Sequence, residues 1–234
     1  MAQHLKLIAL LIFTLSASCT SAQSLRKLLE RPYGIIESKW EKDAQGATEL
    51  NYYNEDYCDY YLYRANDRSY NLSNGKNTIF KIEKNAQVDN PFKSASSYTF
   101  YRGKFPKDFN IQTPYALPVK NWKTDPREPF KTLNFHIKQG DTIYATRSGI
   151  ACKTTNPQQL LIYHPDQTFA AYLVMNENFI EPGEEVQVGQ AIGKAPQVLP
   201  SLSFFWMKIS SKEDYHPDTL TPTLFLYSAQ LKEM

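Results

Sequence analysis

The chain has few imidazole and thiol side chains with which to bind a metal or attack a substrate, with 4 histidines and 3 cysteines. Three histidines, His136, His164 and His216, follow a long stretch without any, since none occurs between His4 and His136. A catalytic zinc ion needs three protein ligands and an open position for water. The three histidines lie in separate stretches of sequence and form no ligand motif, so a zinc site built from them is the less favoured interpretation.

Cysteine and serine give equally little support for catalysis. Cys58 and Cys152 lie beyond the N-terminal segment, and the chain has no Cys-x-x-Cys, so a cysteine-based metal or redox site is not indicated. They are far apart in sequence and fall in different predicted units, which favours two small buried thiols. An exported chain can form disulfides, so their pairing stays open. Ser201 and Ser203 lack the Gly-x-Ser-x-Gly context of a nucleophile elbow.

Composition places the chain among globular β proteins. It has 234 residues, 42% hydrophobic and 21% charged, which fits one large or two small domains. The 16 tyrosines and 13 phenylalanines favour strands over helices. A formal net charge of +2 gives no general attraction to nucleic acid or to acidic membranes. We therefore expect an all-β protein that does not bind nucleic acid.

The first 22 residues have the organisation of a secretory signal. An apolar run from Leu5 to Leu15 follows a short basic start and is followed by small residues up to Ala22. The run is too short to be a transmembrane segment. We expect cleavage after Ala22 and export to the periplasm or the cell exterior. Lipid attachment through Cys19 is the less favoured alternative, because the apolar residue before it is one position too distant.

The remainder divides into two β units and a tail. Residues 23–110 read as short aromatic strands with turn signals, among them Asn74-Gly75, which predicts a hairpin. A proline-rich junction leads into residues 111–210, where strands resume and no long amphipathic helix occurs. We expect a small N-terminal β-sandwich, a second antiparallel β unit, and a C-terminal tail, residues 211–234, that packs back on the second unit.

Four pieces of the second unit, in order, carry a resemblance to a known family. They are Gly140–Ala145 with Gly149, Leu161–Thr168, Pro182–Gly193 and Ser201–Phe204. Together they resemble the LytM/lysostaphin-type zinc metallopeptidases, which cut peptide cross-bridges of peptidoglycan. The resemblance covers about residues 114–209 and implies the antiparallel β-domain with a duplicated hybrid motif of that family.

The resemblance also shows where this sequence departs from the family. Asn134 stands at the position of the ligand aspartate, Tyr172 at that of a catalytic histidine, and Ser201 and Ser203 replace the His-x-His pair. The upstream ligand histidine has no counterpart. Neutral amides and hydroxyls are poor zinc ligands. We therefore expect no bound metal, no other cofactor and no catalytic residues.

The four degenerate positions are then candidates for binding rather than catalysis. We expect Asn134, Tyr172, Ser201 and Ser203 to lie together at one end of a groove. The Tyr172 ring is expected to fill the vacated metal site and to bond through its hydroxyl to one of the other three.

The function implied is binding in the cell envelope by an exported, catalytically inactive peptidase-like protein. Its partner would be peptidoglycan peptide or a cell-wall hydrolase that it regulates. Two alternatives stay open: an active peptidoglycan metalloendopeptidase with an unorthodox site, and a secreted structural β-protein. The sequence does not distinguish the partner or give the oligomeric state.

Overall fold

The computed structural model describes eleven parts of the chain: residues 32, 34–64, 68–88, 98–103, 115–120, 133–135, 138–173, 175–196, 201–209, 220–224 and 231–232. Of residues 63–64, 68–69, 98–99, 133–134, 201–209, 220–224 and 231–232, only the backbone is described. The predicted signal with Cys19, and also His136 and His216, lie outside the described residues.

Strands are the only regular elements in these described parts, which confirms the all-β fold class. They are β1 (Ile36–Lys42), β2 (Thr48–Asn54), β3 (Tyr60–Arg64), β4 (Arg68–Leu72), β5 (Gly75–Ile82), β6 (Tyr98–Arg102), β7 (Tyr115–Ala116), β8 (Leu133–Asn134), β9 (Thr142–Tyr144), β10 (Gly149–Ala151), β11 (Leu160–Tyr163), β12 (Phe169–Tyr172), β13 (Glu177–Asn178), β14 (Glu185–Val186), β15 (Ala191–Lys194), β16 (Ser201–Ile209), β17 (Leu220–Leu224) and β18 (Leu231–Lys232). Nowhere in the described chain is there a helix long and apolar enough to cross a membrane.

The first six strands form two antiparallel sheets of three strands each. One has the order β1-β2-β5 and the other β4-β3-β6. The Asn74-Gly75 turn lies between β4 and β5, which belong to different sheets, so the predicted hairpin at this turn is wrong. Gly75 has a φ of 89°, and this left-handed conformation lets the chain leave one sheet and enter the other.

A larger sheet dominates the second half of the chain. Its strand order is β14-β10-β11-β12-β16-β17, with β8 also paired to β16. A small sheet, β13-β15-β9, accompanies it. From the predicted tail, β17 pairs with β16 and β18 pairs in parallel with β7.

Both faces of the large sheet carry buried side chains, and alternation along its strands assigns each side chain to one face. Leu160, Ile162 and Tyr172 belong to the core shared with the small sheet. Leu161 and Phe169 belong to a second core that also includes residues of the two N-terminal sheets. Strands buried on both faces are continuously apolar, which explains the unbroken Leu160–Ile162 run. This second core contains residues of three sheets and not of the two N-terminal sheets alone. The N-terminal sandwich therefore stays a prediction.

Removing the Phe169 side chain tests how much this second core contributes. Phe169 is fully buried and its ring centroid lies 4.7 Å from that of Tyr163. We expect Phe169→Ala to lower the free energy of unfolding by about 3–5 kcal/mol in urea denaturation. Phe179→Ala is the matched control, because Phe179 is 45% exposed, and it should change stability little. Equal small effects of both substitutions would contradict the assignment of this core.

Candidate functional site

The strands that carry the predicted site positions are neighbours in the large sheet. β8 pairs with β16 so that Asn134 lies opposite Ser201. On the other side of β16, β12 pairs with it so that Ala171 lies opposite Ser203. The fold therefore brings the positions of Asn134, Ser201 and Ser203 to one end of adjoining strands, although these residues are far apart in sequence.

Tyr172 lies on the opposite face of the sheet from Ala171 and Ser203. It lies opposite Leu202, one residue out of step with Ala171 and Ser203. Directly opposite residues of an antiparallel pair share a face, and consecutive residues alternate. By register, Ala171 shares a face with Ser203. Tyr172 belongs to the opposite face, apart from the two serines with which it was predicted to group. Local sequence holds no signal for this one-residue difference, because it depends on the register of β12 with β16.

The Tyr172 ring is part of the core between the large and small sheets. It is 3% exposed. Its hydroxyl oxygen accepts a hydrogen bond from the Thr146 backbone N–H at 2.8 Å and lies 3.0 Å from Thr146 Oγ1. Burial raises the pKa of Tyr172 to about 12, so the phenol stays neutral at ordinary pH. Tyr172 is thus a buried packing residue, and Thr146 is a partner that sequence reasoning missed.

The residue types at the site do not fit a zinc ion. The positions hold an amide at Asn134, hydroxyls at Ser201 and Ser203, and a methyl group at Ala171. Zinc prefers thiolate, imidazole and carboxylate ligands, and none of these is among them. Amides and hydroxyls of this kind can make neutral hydrogen bonds.

A cleft of about 580 Å³ opens at the same end of the large sheet. Leu160 on its wall lies opposite Tyr172, which in turn lies opposite Leu202, so by register this wall belongs to the Tyr172 face of the sheet and not to the face of Ala171 and Ser203. Two strand spacings separate β11 from β16, which is roughly 10 Å. The cleft is lined by polar and apolar groups: Cys152, Thr154, Thr155, Pro157, Gln158, Leu160, Asn176, Asn178, Ile180, Glu181 and Pro182.

His164 is a buried, neutral residue of the turn after β11. It is 1% exposed, and its Nδ1 lies 2.9 Å from the Ser148 carbonyl oxygen, so Nδ1 carries the proton that it donates there. Burial lowers the pKa of His164 to about 4. The same turn contains Gln167 at a φ of 69°, a left-handed conformation that non-glycine residues seldom adopt.

A buried polar network links the N-terminal sheets to the large sheet. Arg102 is 1% exposed, forms an ion pair with Asp56 at 3.2 Å, and donates to the Lys153 carbonyl oxygen at 2.7 Å. Asp56 in turn accepts from the Lys153 N–H at 2.9 Å. Cys58 and Cys152 are both buried, as predicted, and they lie beside Asp56. No sequence signal pointed to this network, since its members come from distant segments.

Comparison with known proteins gives distant structural likenesses only. No family model and no curated protein matches the chain. A crystal structure of a putative M23 peptidase from Pseudomonas aeruginosa is similar at 12% identity and a TM-score of 0.35, covering 74% of this chain and 83% of that one. Csd3 from Helicobacter pylori is similar at 10% identity and a TM-score of 0.34, covering 78% of this chain and 73% of that one. A zinc-containing peptidase from Vibrio cholerae is similar at 14% identity and a TM-score of 0.29, covering 73% of this chain and 81% of that one.

These structural neighbours are M23 peptidases, which are LytM-like, at low sequence identity. Their TM-scores are too low to carry a functional argument.

Removing only the Tyr172 hydroxyl tests its role as a buried hydrogen-bond acceptor. Tyr172→Phe leaves the Thr146 N–H without its acceptor, so we expect a loss of about 1–2 kcal/mol in the free energy of unfolding. Tyr172→Ala should cost more, about 3 kcal/mol, because it also leaves a cavity. Tyr57→Phe serves as control, since Tyr57 is 37% exposed. A Tyr172→Phe protein as stable as the control would contradict this role.

Acidification tests the neutral state of His164. The unfolded histidine binds a proton near pH 6.5 but the folded one only near pH 4, so its contribution to stability is complete above pH 6.5 and is lost as the pH falls. Between pH 7 and pH 4 the wild type should lose about 3 kcal/mol more than His164→Asn. Asparagine can still donate to the Ser148 carbonyl but does not titrate. Parallel pH profiles of the two proteins in urea denaturation would show that His164 is not the titrating group.

Proposed function

We propose that the chain is an exported, catalytically inactive LytM-like protein that binds the peptide part of peptidoglycan in the cell envelope. The proposal rests on the four family-like pieces in their proper order and on the neutral residues at the ligand positions. The residues of the second unit, about 111–210, would form the binding domain, and the leader, residues 1–22, would direct export. Such a protein would bind the wall without cleaving it.

One observation carries the proposal most directly. The register places Asn134 opposite Ser201 and Ser203 opposite Ala171. In an active peptidase these adjoining strands would supply the metal ligands and the catalytic histidines. Here the strand arrangement is present, whereas the chemistry of its side chains is that of hydrogen-bonding and apolar groups. A sheet keeps its shape without a metal, so a groove beside it is still able to hold a peptide.

The cleft at this end of the large sheet, beside Leu160 on the Tyr172 face, combines polar and apolar groups that suit a wall peptide. Gln158, Asn176 and Asn178 supply amide donors and acceptors, and Glu181 supplies a carboxylate for an amino group. Leu160 and Ile180 supply apolar contact in the same cleft. Ligand sites typically combine an apolar lining with a few placed polar groups. The cleft therefore suits a short peptide that carries a free amine.

Binding to purified sacculi tests the proposal. We expect the full chain to co-sediment with sacculi and Asn176→Trp to reduce the bound fraction at least fivefold, because an indole at this position would obstruct the cleft. Val188→Trp is the matched control, since Val188 is 54% exposed and does not line the cleft. Thermal unfolding of both variants checks that each one folds.

Other outcomes of this assay distinguish the alternatives. Failure of the wild type to sediment with sacculi would contradict a peptidoglycan ligand. Sedimentation only when a wall hydrolase is added would make that hydrolase the partner instead. Release of soluble wall fragments would support the active peptidase, and no interaction of any kind would leave the structural β-protein.

A further inference from the structure

Two cysteines from distant segments meet at the junction between the N-terminal sheets and the large sheet. Cys58 precedes β3, and Cys152 directly follows β10. Both are 2% exposed. Their sulfur atoms and an Asp56 carboxylate oxygen all lie within 4.8 Å of one another. Nothing in the sequence predicts this approach. Cys152 also lines the cleft, but the contacts proposed for wall binding come from other residues of its lining.

A metal ion held by these three residues is one interpretation, but the hydrogen bonds of Asp56 argue against it. Oδ1 accepts from the backbone N–H groups of Tyr57 and Lys153, at 2.8 and 2.9 Å. Oδ2 accepts from the Tyr60 hydroxyl at 2.7 Å and forms the ion pair with Arg102 at 3.2 Å. The carboxylate is thus fully engaged, and the buried guanidinium beside it would repel a divalent cation.

We propose that Cys58 and Cys152 form a disulfide bond that joins the N-terminal sheets to the large sheet. Their sulfur atoms lie within 4.8 Å of each other, so the fold already brings the two side chains together. The proposal rests on the export part of the proposed function, because disulfides persist in oxidising compartments outside the cytosol. Cys19, the third cysteine, belongs to the predicted leader, so Cys58 and Cys152 are the two cysteines of the remaining chain.

The bond forms by exchange with a small-molecule or protein disulfide. One thiolate attacks the oxidant and forms a mixed disulfide, releasing one thiol. The second thiolate then displaces the remaining sulfur and closes the Cys58–Cys152 bond. Both protein thiols are oxidised and lose their protons, and the S–S bond of the oxidant is reduced to two thiols. Burial raises the pKa of Cys58 in the folded chain, so oxidation belongs to the folding stage, when the thiols are still accessible.

The position of the bond gives it a clear consequence. Hydrogen bonds already cross this junction, from Lys153 to Asp56, from Arg102 to Lys153, and from the Tyr163 hydroxyl to Asp59 at 2.6 Å. A disulfide adds a covalent closure of a long loop, which restricts the unfolded chain much more than a short closure would. The N-terminal sheets would then remain joined to the large sheet even when the polar contacts open.

Refolding in a glutathione redox buffer tests the inference independently of export. The full chain, produced in a reducing cytosol, is denatured, refolded in the buffer, alkylated and mapped by mass spectrometry without reduction. We expect a peptide pair linked through Cys58 and Cys152, present equally in Cys19→Ser and absent from Cys58→Ala. Reduction should lower the melting temperature by roughly 10 °C in the wild type and should leave the Cys58→Ala/Cys152→Ala protein unchanged.

Two results would overturn the disulfide. One is alkylation of both cysteines in protein that has refolded and melts cooperatively. The other is a stoichiometric zinc ion, measured by elemental analysis of the refolded protein, that shields two reduced thiols until a chelator is added. Neither result bears on sacculus binding, which uses the reduced or oxidised protein alike, so failure of this inference and failure of the proposed function are distinguishable.

Discussion

Burial of the large sheet on both faces is the constraint on which the rest of this structure depends. One face packs against the small sheet and contains Tyr172, and the other packs against the N-terminal sheets through residues such as Phe169 and Leu161. A sheet covered on both sides needs polar groups at its junctions to be paired. The Asp56–Arg102 pair and its bonds to Lys153 meet that need at the N-terminal junction.

The same constraint is compatible with the inactive, peptidase-like protein that we propose. Strand pairing is set by backbone hydrogen bonds and by the apolar residues of the two cores, none of which requires a metal. Neutral residues at Asn134, Ser201 and Ser203 therefore leave the sheet order intact. The residue types at these three positions are neutral, and this is one reason why we propose binding as the function.

Much of the fold could be predicted from local sequence, because strands and turns have local signals. The all-β class followed from aromatic and alternating segments, and so did the return of strands in residues 111–210. Long-range features had no such signal. The Asn74-Gly75 turn was predicted as a hairpin, but its flanking strands join different sheets. The face occupied by Tyr172 depends on a one-residue register, and the meeting of Cys58 with Cys152 depends on how the sheets pack.

The most direct test of the central claim is whether the protein cuts the wall that we propose it binds. Purified sacculi are incubated with the full chain and added zinc, with and without a chelator, and soluble peptide-containing fragments are measured by chromatography. The account predicts no release above buffer in either condition, because the site offers neither zinc ligands nor a catalytic base. Fragment release that zinc supports and the chelator abolishes would show an active metallopeptidase and would contradict the account.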